Sequence, residues 1–425
     1  MAITNVSLID GTGKAVQESV TICIKEDIIQ DILPKADVRA DTLIDGSGKF
    51  VIPGLFDGHV HTTNYKEDFP RFIHYGVTSI LITGGSLCTH DYYAKMRQLG
   101  KQDTFPAPVV FHTSQHFTIE GRHPAKTYVS NNWRDGESIF YLRDTTQIES
   151  LVQEVAQYPI SGIKLTIEEG PAPPYVERIP QAFIDKTVKE AKAHDLKVFA
   201  HVSDNKELSM AIEGGVQTLL HFTGVNIDPA NELQISLIEE LASRDPSWVT
   251  TLMLDKGFLY PIHPEWLSEE AMLPVYKEIA SELIPKRRWR ASLQERILKQ
   301  EYQLEESSLA AFMTPQVADI QFLQELGINM VLGTDTGNEF IFPGYSLHEE
   351  MQNLEMGGMQ PLEIIKMASL NAAKMLEVEA QLGSIEVGKS ANLVLLHKDP
   401  LASIKHTLDI HAVIKKGVIQ KRMKE

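Results

Sequence analysis

Short apolar runs alternate with stretches of helical periodicity through the middle of the chain. Ile148, Leu151, Val152 and Val155 have the i, i+3, i+4, i+7 spacing of one helical face, and an apolar run follows them. The same order recurs, so we predict eight buried strands, at residues 51–61, 78–83, 108–113, 160–167, 196–202, 217–222, 248–253 and 327–335. Eight strands, each followed by a helix, favour the α/β class and a closed (β/α)8 TIM barrel over an open sheet.

The two ends of the chain have a different pattern. Strand-like alternation, as in Ser19–Lys25, fills the first fifty residues and returns only at 391–396 and 412–419. Because the termini of a domain often lie close together, we predict a small composite β-sandwich domain built from residues 1–52 and 384–425.

The predicted barrel, residues 53–383, has one irregularity. Residues 262–312 form a long charged helical insertion between the last two strands, and it contains the basic run Lys286–Arg290. We interpret this run as a solvated helix face, with a lid or a subunit contact as the alternative.

Composition and charge exclude several classes of partner. The chain has 425 residues, of which 43% are hydrophobic, enough for a sizeable core. A net charge of −17 argues against nucleic acid and against anionic membranes. Only two cysteines are present, which excludes a disulfide framework and disfavours a cysteine zinc site. The N-terminus lacks signal-peptide character and no apolar run could span a membrane, so we expect a cytoplasmic protein; a trimmed export signal remains open.

Residues with metal-binding side chains fall at or near the carboxyl ends of the predicted strands. His59 and His61 end the first strand, and they share a face because side chains i and i+2 of a strand point the same way. The other strands supply Lys164, His201, His221 and Asp335. A lone strand histidine is commonly a hydrogen-bonded core residue, so the prediction depends on all six. Strand ends of a barrel face one mouth, and imidazoles with a carboxylate suit Zn²⁺ or a related divalent ion.

Lys164 is the unusual member of this set. A buried ammonium beside dications is strongly disfavoured, so the lysine must lose its charge or change its chemistry. Carboxylation by CO₂ would make a carbamate, an oxygen ligand able to bridge two metals. The alternative is a lysine that points outward between the helices.

At this point the chain resembles the amidohydrolase superfamily. The matching segments are Ile52–His61, Lys164, His201, His221, Gly333–Asp335 and Leu382–Leu396. Within the superfamily it is similar to the binuclear group with a carboxylated lysine, which includes prolidase-like and imidazolonepropionase-like amide hydrolases.

The resemblance implies a ligand set and a reaction. His59, His61 and Asp335 would hold one divalent ion, His201 and His221 a second, and carboxylated Lys164 would bridge them, with Zn²⁺ the expected metal. The implied activity is hydrolysis of an amide C–N bond, as in an N-acyl amino acid or a dipeptide, by a hydroxide that bridges the two metals. Asp335 would accept the proton of the water and pass it to the leaving amine.

Histidines after the third strand are candidates for contact with substrate. The segment Gly121–Pro124 resembles the place where relatives carry a histidine that touches the substrate carbonyl. We therefore assign this catalytic role to His123, with His116 as the rival; the alternative is an exposed loop histidine.

Other loop residues bear on specificity. Arg122, together with Arg134 and Arg143, could bind a substrate carboxylate, although exposed arginines are commonly solvated. Ser203 stands where many dipeptidases of this group have a tyrosine, which weighs against dipeptides as substrates.

Two further functions stay open. His201–Asp204 is near the His-X-X-Glu pattern of mononuclear zinc deaminases, but the acid is Asp and Lys164 has no role in that scheme. A non-catalytic scaffold relative would typically have lost metal ligands. We expect a small-molecule substrate, and a homo-oligomer stays open. A metal assay separates the three functions, because the hydrolase would hold two metal ions per chain, the deaminase one and the scaffold none.

Overall fold

The computed structural model describes residues 1–34, 36, 38–62, 64–102, 104–128, 131–170, 175–267, 270–305 and 307–423. Parts of the predicted loops and of the 262–312 insertion, including residues 171–174, 268–269 and 306, therefore lie outside the described residues. The strands, in chain order, are β1 Ala2–Leu8, β2 Gln17–Lys25, β3 Ile28–Pro34, β4 Leu43–Asp45, β5 Phe50–Pro53, β6 Leu55–Val60, β7 Val77–Ile82, β8 Val109–His112, β9 His116–Thr118, β10 Ile139–Tyr141, β11 Gly162–Thr166, β12 Lys197–His201, β13 Thr218–Leu220, β14 Ser247–Val249, β15 Asn329–Val331, β16 Leu393–Leu396, β17 Ile410–Lys415 and β18 Val418–Ile419.

The helices follow the barrel strands and also fill the long insertion. They are α1 Tyr65–His74, α2 His90–Lys101, α3 Ile148–Val155, α4 Gln181–Ala193, α5 Asn205–Glu213, α6 Glu232–Ala242, α7 Met253–Leu259, α8 Pro274–Glu301, α9 Leu309–Glu325, α10 Tyr345–Met356, α11 Pro361–Met367 and α12 Leu370–Met375, with short 3-10 helices at Pro264–Trp266 and Ile404–Leu408. Within the described part of the chain, no helix is both long enough and apolar enough to cross a bilayer.

Strands from both ends of the chain form one sheet. Its order is β18-β17-β16-β5-β1-β2-β3, with β4 paired to β1. The junction of the two ends is the antiparallel pair β5 and β16, in which Pro53 lies opposite Leu393 and Phe50 opposite Leu396. The strands of the two chain ends thus form one hydrogen-bonded sheet, whereas the predicted β-sandwich would have two sheets.

The strand β16 lies between two hydrophobic cores. Leu393 and Leu395 pack into the smaller core, with residues of β1 and β2 such as Ile3. Val394 and Leu396 pack into the main core. This division follows from the alternation of side chains along a strand, and it joins the sheet of the chain ends to the rest of the molecule.

All the remaining strands pair in parallel. Seven of them form the sheet β10-β9-β11-β12-β13-β14-β15, and three form the sheet β6-β7-β8. Backbone hydrogen bonds connect the two sheets at both sides: Ser161 N to His112 O (2.8 Å), Ser114 N to Gly162 O (2.8 Å), Gly58 N to Leu332 O (2.9 Å) and Asp335 N to His59 O (2.9 Å). Each of the eight predicted barrel strands has a counterpart, but the first, 51–61, is divided into β5 of the chain-end sheet and β6. The short strands β9 and β10 were not predicted.

One predicted strand ends early. The apolar run 248–253 was predicted to be extended throughout, but β14 stops at Val249 and α7 begins at Met253. The amides of Leu252 and Met253 donate to the buried Glu350 carboxylate at 2.9 and 2.8 Å. A carboxylate at the start of a helix satisfies amides that have no partner within the helix, and this one comes from α10, about a hundred residues away.

The insertion consists mainly of α8, a helix of 28 residues. The basic run lies on it: Lys286 pairs with Glu282 in the same helix, Arg287 pairs with Glu339, and Trp289 is 79% exposed. Most of the run is therefore solvated as predicted, but Arg287 joins α8 to the loop that follows Asp335.

Candidate metal centre

Six side chains that the sequence singled out converge on one buried space. They belong to five strands or follow them directly: His59 lies in β6 and His61 after it, Lys164 lies in β11, His201 in β12, His221 after β13 and Asp335 after β15. Four of these residues, His59, Lys164, His221 and Asp335, are at most 4% exposed. Parallel strands whose carboxyl ends face the same side bring these distant residues together.

The first group of donor atoms surrounds Asp335. Its Oδ1 lies 3.3 Å from His59 Nε2 and 3.1 Å from His61 Nε2, and these two nitrogens are 3.1 Å apart. The ligand atoms of His59, His221 and Asp335 all lie within 4.8 Å of one another. Three donors at such distances can close around one divalent cation.

The second group of donor atoms includes His201. His221 Nε2 lies 3.0 Å from His201 Nδ1. The other ring nitrogen of His201 faces Glu168, a residue that the sequence analysis missed. Glu168, His123 and His201 also have ligand atoms within 4.8 Å of one another. The sequence signal for Glu168 was its position four residues after Lys164, an even spacing that in a strand places two side chains on the same face.

Hydrogen bonds on the far side of the rings decide which nitrogens face the centre. His61 Nδ1 lies 2.8 Å from the carbonyl oxygen of Gly84, which can only accept, so the His61 Nε2 lone pair is free to face Asp335. His221 Nδ1 lies 3.0 Å from Thr251 Oγ1, which leaves its Nε2 toward His201.

Lys164 is buried with no hydrogen-bond partner for its Nζ among the described residues. Burial lowers the pKa of this amine to about 7, although Asp335 and Glu168 oppose the shift. An amine with so low a pKa is partly neutral near pH 7, which is the form that reacts with CO₂.

The charge states of the other residues suit a divalent cation. Burial, reinforced by nearby cationic groups, lowers the pKa of His59, His201 and His221 well below the ordinary value, so they are neutral imidazoles. Burial raises the pKa of Asp335, but His221, His61 and Lys164 lower it to below the usual range. Neutral nitrogens, an ionised carboxylate and an unpartnered Asp335 Oδ1 are a donor set that fits such an ion.

The backbone around the centre is unusual. His221 has a φ of 88° and Asp335 a φ of 63°, in the left-handed region that residues other than glycine rarely adopt. Asp57, fully buried, accepts from His59 N at 3.3 Å and from Thr334 N at 3.0 Å. It braces the end of β6 against the segment after β15, so that His59 and Asp335 keep their relative positions.

Both candidate substrate histidines lie at the centre, and neither is an exposed loop residue. His123 is 3% exposed, and its Nε2 lies 3.4 Å from Glu168 Oε2. His116 is 4% exposed, and its ring stacks on His61 with 6.1 Å between centroids. Gly84 permits this stack, because a Cβ there, at a φ of 104°, would come within 2.5 Å of His116 Nε2.

The arginines named from the sequence are all paired. Arg122 contacts Glu177 at 2.9 Å, Arg134 contacts Glu137 at 3.0 Å and Arg143 contacts Asp135 at 2.5 Å. Ser203 Oγ lies 3.1 Å from Glu207 Oε2, as hydrogen-bond donor. Each of these four side chains therefore contacts a carboxylate.

Comparisons with known proteins show what the chain is similar to. A model of the amidohydrolase family matches residues 50–419. An ochratoxinase from Aspergillus niger is 29% identical over 220 residues, 51% of this chain, and the chain spans only 36% of that relative's length. A 5-methylthioadenosine/S-adenosylhomocysteine deaminase from Thermoanaerobacter pseudethanolicus is 23% identical over 436 residues, with 94% of this chain and 85% of the deaminase covered. The crystal structure of a Xaa-Pro dipeptidase with bound methionine has a TM-score of 0.72, 20% identity and 99% coverage of both chains, which shows a shared fold.

The match to the family model begins at the first residue of β5 and ends at the last residue of β18, so every candidate ligand lies within it. The chain belongs to the amidohydrolase family, whose members hydrolyse C–N bonds.

Proposed function

We propose that this protein is a binuclear metal-dependent hydrolase of amide C–N bonds. The observation that carries the proposal is Lys164, a fully buried amine without a partner, among neutral imidazoles and the Asp335 carboxylate. His59, His61 and Asp335 would hold one divalent ion, His201 and His221 the second, and carboxylated Lys164 would bridge them; Zn²⁺ is the expected metal. Bound ions of this kind acidify water and polarise a carbonyl group.

The residues of the chain would act as follows. Asp335, ionised and within reach of the centre, accepts a proton from the attacking water and returns it to the leaving amine. His123 would contact the substrate carbonyl, and Thr127 orients the ring because its Oγ1 lies 2.6 Å from His123 Nδ1. Burial of the whole group keeps bulk water out and strengthens each electrostatic contact.

The proposed architecture places this chemistry at one mouth. The hydrogen bonds that join the two parallel sheets at both sides support a closed barrel of eight strands, over residues 53–383. The shared sheet of the chain ends supports a composite domain of residues 1–52 and 384–425. In such a barrel the loops after the strands set the specificity.

An N-acyl amino acid or a related amide is the substrate class we propose. A structural neighbour is by its name a Xaa-Pro dipeptidase, which supports an amide bond next to an amino acid. With Ser203 engaged by Glu207, we place N-acyl amino acids ahead of dipeptides.

A mononuclear deaminase is the second candidate, favoured by the match to a deaminase along 94% of this chain. The acid that such a reaction needs would be Asp204. However, Asp204 accepts from Glu207 N at 2.7 Å and pairs with Arg178, so its carboxylate caps α5. Glu168, which contacts His201, follows a different strand and does not complete that pattern.

The test combines metal content with a substrate screen. Metal-loaded protein is assayed against N-acyl amino acids, dipeptides, lactams, carbamates and aminated heterocycles. We expect two ions per chain and release of an amine from an acyl group. The variant Lys164→Ala should lose most of the activity and regain part of it when a short carboxylate is added. Lys197→Ala, on the next strand, should keep its activity and should not respond to the carboxylate. One ion with release of ammonia would favour the deaminase, and full metal content and rate in Lys164→Ala would refute the bridge.

A further inference from the structure

Glu168 is a buried carboxylate at the centre with no role in the mechanism described so far. It follows the end of β11 by two residues and is 3% exposed. Residues 164 and 166 share a face of β11, and the carboxylate of Glu168, two residues further on, contacts His201 at the centre. Burial raises the pKa of Glu168, and the neighbouring His123 opposes this shift.

One oxygen of Glu168 lies within ion-pair distance of two histidines, without a hydrogen bond to any described residue. Its Oε2 lies in ion-pair contact with His201 Nε2 and 3.4 Å from His123 Nε2. The opposite ring nitrogens are also engaged: His201 Nδ1 faces His221 Nε2 at 3.0 Å, and His123 Nδ1 faces the Thr127 hydroxyl at 2.6 Å. A single carboxylate oxygen thus joins one proposed metal ligand to the residue proposed to hold the substrate carbonyl.

The negative charge of the carboxylate favours one tautomer of the His201 ring. A neutral imidazole has one N–H and one nitrogen lone pair, and a carboxylate can only accept. With Glu168 beside Nε2, the hydrogen of His201 belongs on Nε2, so the lone pair is on Nδ1. That nitrogen points at His221 Nε2, where two lone pairs would meet one cation.

We propose that Glu168 is a positioning residue that fixes the tautomer of His201 for the second metal position and holds His123 in the same contact. The proposal rests on the binuclear function above. Removing the carboxylate frees the His201 ring to place its hydrogen on either nitrogen and to rotate. The second position is therefore weakened, while the first, formed by other residues, is unaffected.

A different role for Glu168 is that of a direct ligand, because His123, Glu168 and His201 have ligand atoms within 4.8 Å. His201 would then have to give Nε2 to that ion and Nδ1 to the second ion beside His221. Both nitrogens bind at once only in an imidazolate, which is an uncommon state. The positioning role needs only the neutral ring that burial already favours.

The test is the stepwise metal affinity of Glu168→Gln. Metal-free protein is titrated with Zn²⁺ against a competing chelator and with Co²⁺ by absorption spectroscopy. We expect the first equivalent to bind as in the wild type and the second to bind about 10- to 100-fold more weakly. Glu169→Gln is the matched control, since the neighbouring carboxylate pairs with Arg178 instead, and it should bind both equivalents normally.

A second measurement needs no variant. The ¹⁵N shifts of the His201 ring in the Zn²⁺-loaded wild type should show a protonated Nε2, and this readout stands even if Glu168→Gln fails to fold. Normal binding of both equivalents by Glu168→Gln, a His201 Nε2 without a proton, or loss of a third equivalent with the first two intact would each overturn the proposal. If the wild type itself binds only one equivalent, the binuclear function fails, whatever the role of Glu168.

Discussion

Asp335 combines two properties that rarely occur together, because it is buried and still ionised. Burial alone would raise its pKa, but His221, His61 and Lys164 outweigh that effect. Its Oδ2 accepts from Asn338 Nδ2 at 2.7 Å, while Oδ1 has no hydrogen-bond partner among the described residues. One carboxylate oxygen is therefore fixed and the other is available for a ligand or a proton.

Replacing Asp335 by Asn should remove turnover with little loss of fold. The amide has nearly the same volume but cannot accept a proton as a carboxylate does, so we expect kcat to fall at least about 10²- to 10⁴-fold. Activity on an amide that the wild type cleaves, together with circular dichroism, is the measurement. Asp91→Asn, at an exposed position on α2, is the control, and a rate near that of the wild type in Asp335→Asn would contradict the mechanism.

His112 lies outside the centre and couples stability to pH. It is 1% exposed, and both ring nitrogens are engaged: Nδ1 with Thr113 O at 2.8 Å and Nε2 with the Arg97 guanidinium at 3.1 Å. The carbonyl accepts and the guanidinium donates, so these contacts suit the neutral ring. Burial lowers the pKa of His112 to about 4, with Arg97 acting in the same direction.

The consequence is a loss of stability in acid. Between about pH 6.5 and pH 4 the unfolded chain binds a proton at this histidine and the folded chain does not. The contribution of His112 to the free energy of unfolding is thus complete above pH 6.5 and falls by up to about 3 kcal/mol toward pH 4. Urea unfolding of the wild type and of His112→Gln across this range measures it. The two curves should converge in acid, whereas exposed His194→Gln should run parallel to the wild type.

At the scale of elements, the insertion helix α8 borders the mouth of the centre. A small cleft is lined by residues of α7, α8 and the loop after Asp335, among them Phe258, Arg290 and Glu339. The Arg290 guanidinium lies 5.7 Å from the centroid of the Phe258 ring, and no carboxylate of the described residues is within ion-pair distance of it. Burial raises the pKa of Tyr128, and the charge of Arg290 opposes this shift. The centroid of the Tyr128 ring lies 5.5 Å from that of the His123 ring.

We therefore propose that Arg290, instead of the three arginines already paired with carboxylates, binds a carboxylate of the substrate. We expect Arg290→Met to raise KM about tenfold for N-acyl amino acids, the effect of losing one charge-assisted contact at an exposed site. Amides of the same substrates, which lack the carboxylate, should be unaffected. Steady-state kinetics with both substrate series is the measurement. Arg288→Met, an exposed neighbour on α8, is the control, and an equal rise in KM for both series would contradict the assignment.

At the scale of the whole molecule, the centre ties distant parts of the chain together. Its ligands come from β6, β11 and β12 and from the segments after β13 and β15, and the main hydrophobic core extends from Ile9 to Val413. Any group that binds this folded arrangement and not the unfolded chain stabilises the whole fold through mass action.

Removal of metal should therefore lower the thermal stability of the entire chain. At a free metal concentration a thousandfold above Kd, each bound ion contributes about 4 kcal/mol, so we expect chelation to lower Tm by about 4–5 °C for each ion removed. Differential scanning calorimetry before chelation, after chelation and after re-addition of Zn²⁺ measures the shift. Asp335→Asn, with a weakened first position, should shift less than the wild type, and a Tm that is insensitive to chelation would contradict a metal centre.

The sequence by itself determined where most strands and helices lie along the chain and which kinds of side chain follow the strands. Both follow from short-range physics: alternation of apolar residues, helical spacing, and the direction of side chains i and i+2 on a strand. His59, His61 and His221 could be named in this way because each comes at the end of an apolar run. The amidohydrolase family, expected from these motifs, is confirmed by the family model over residues 50–419.

Only the tertiary structure decided which of these groups meet and in what state. Glu168, the capping of α7 by Glu350, and the pairing of Arg122 with Glu177 depend on contacts between residues far apart in the chain. No local pattern encodes such contacts, because they result from the packing of helices and strands. The low pKa of Lys164 has the same origin, since it reflects burial by the whole fold and not the residues beside it.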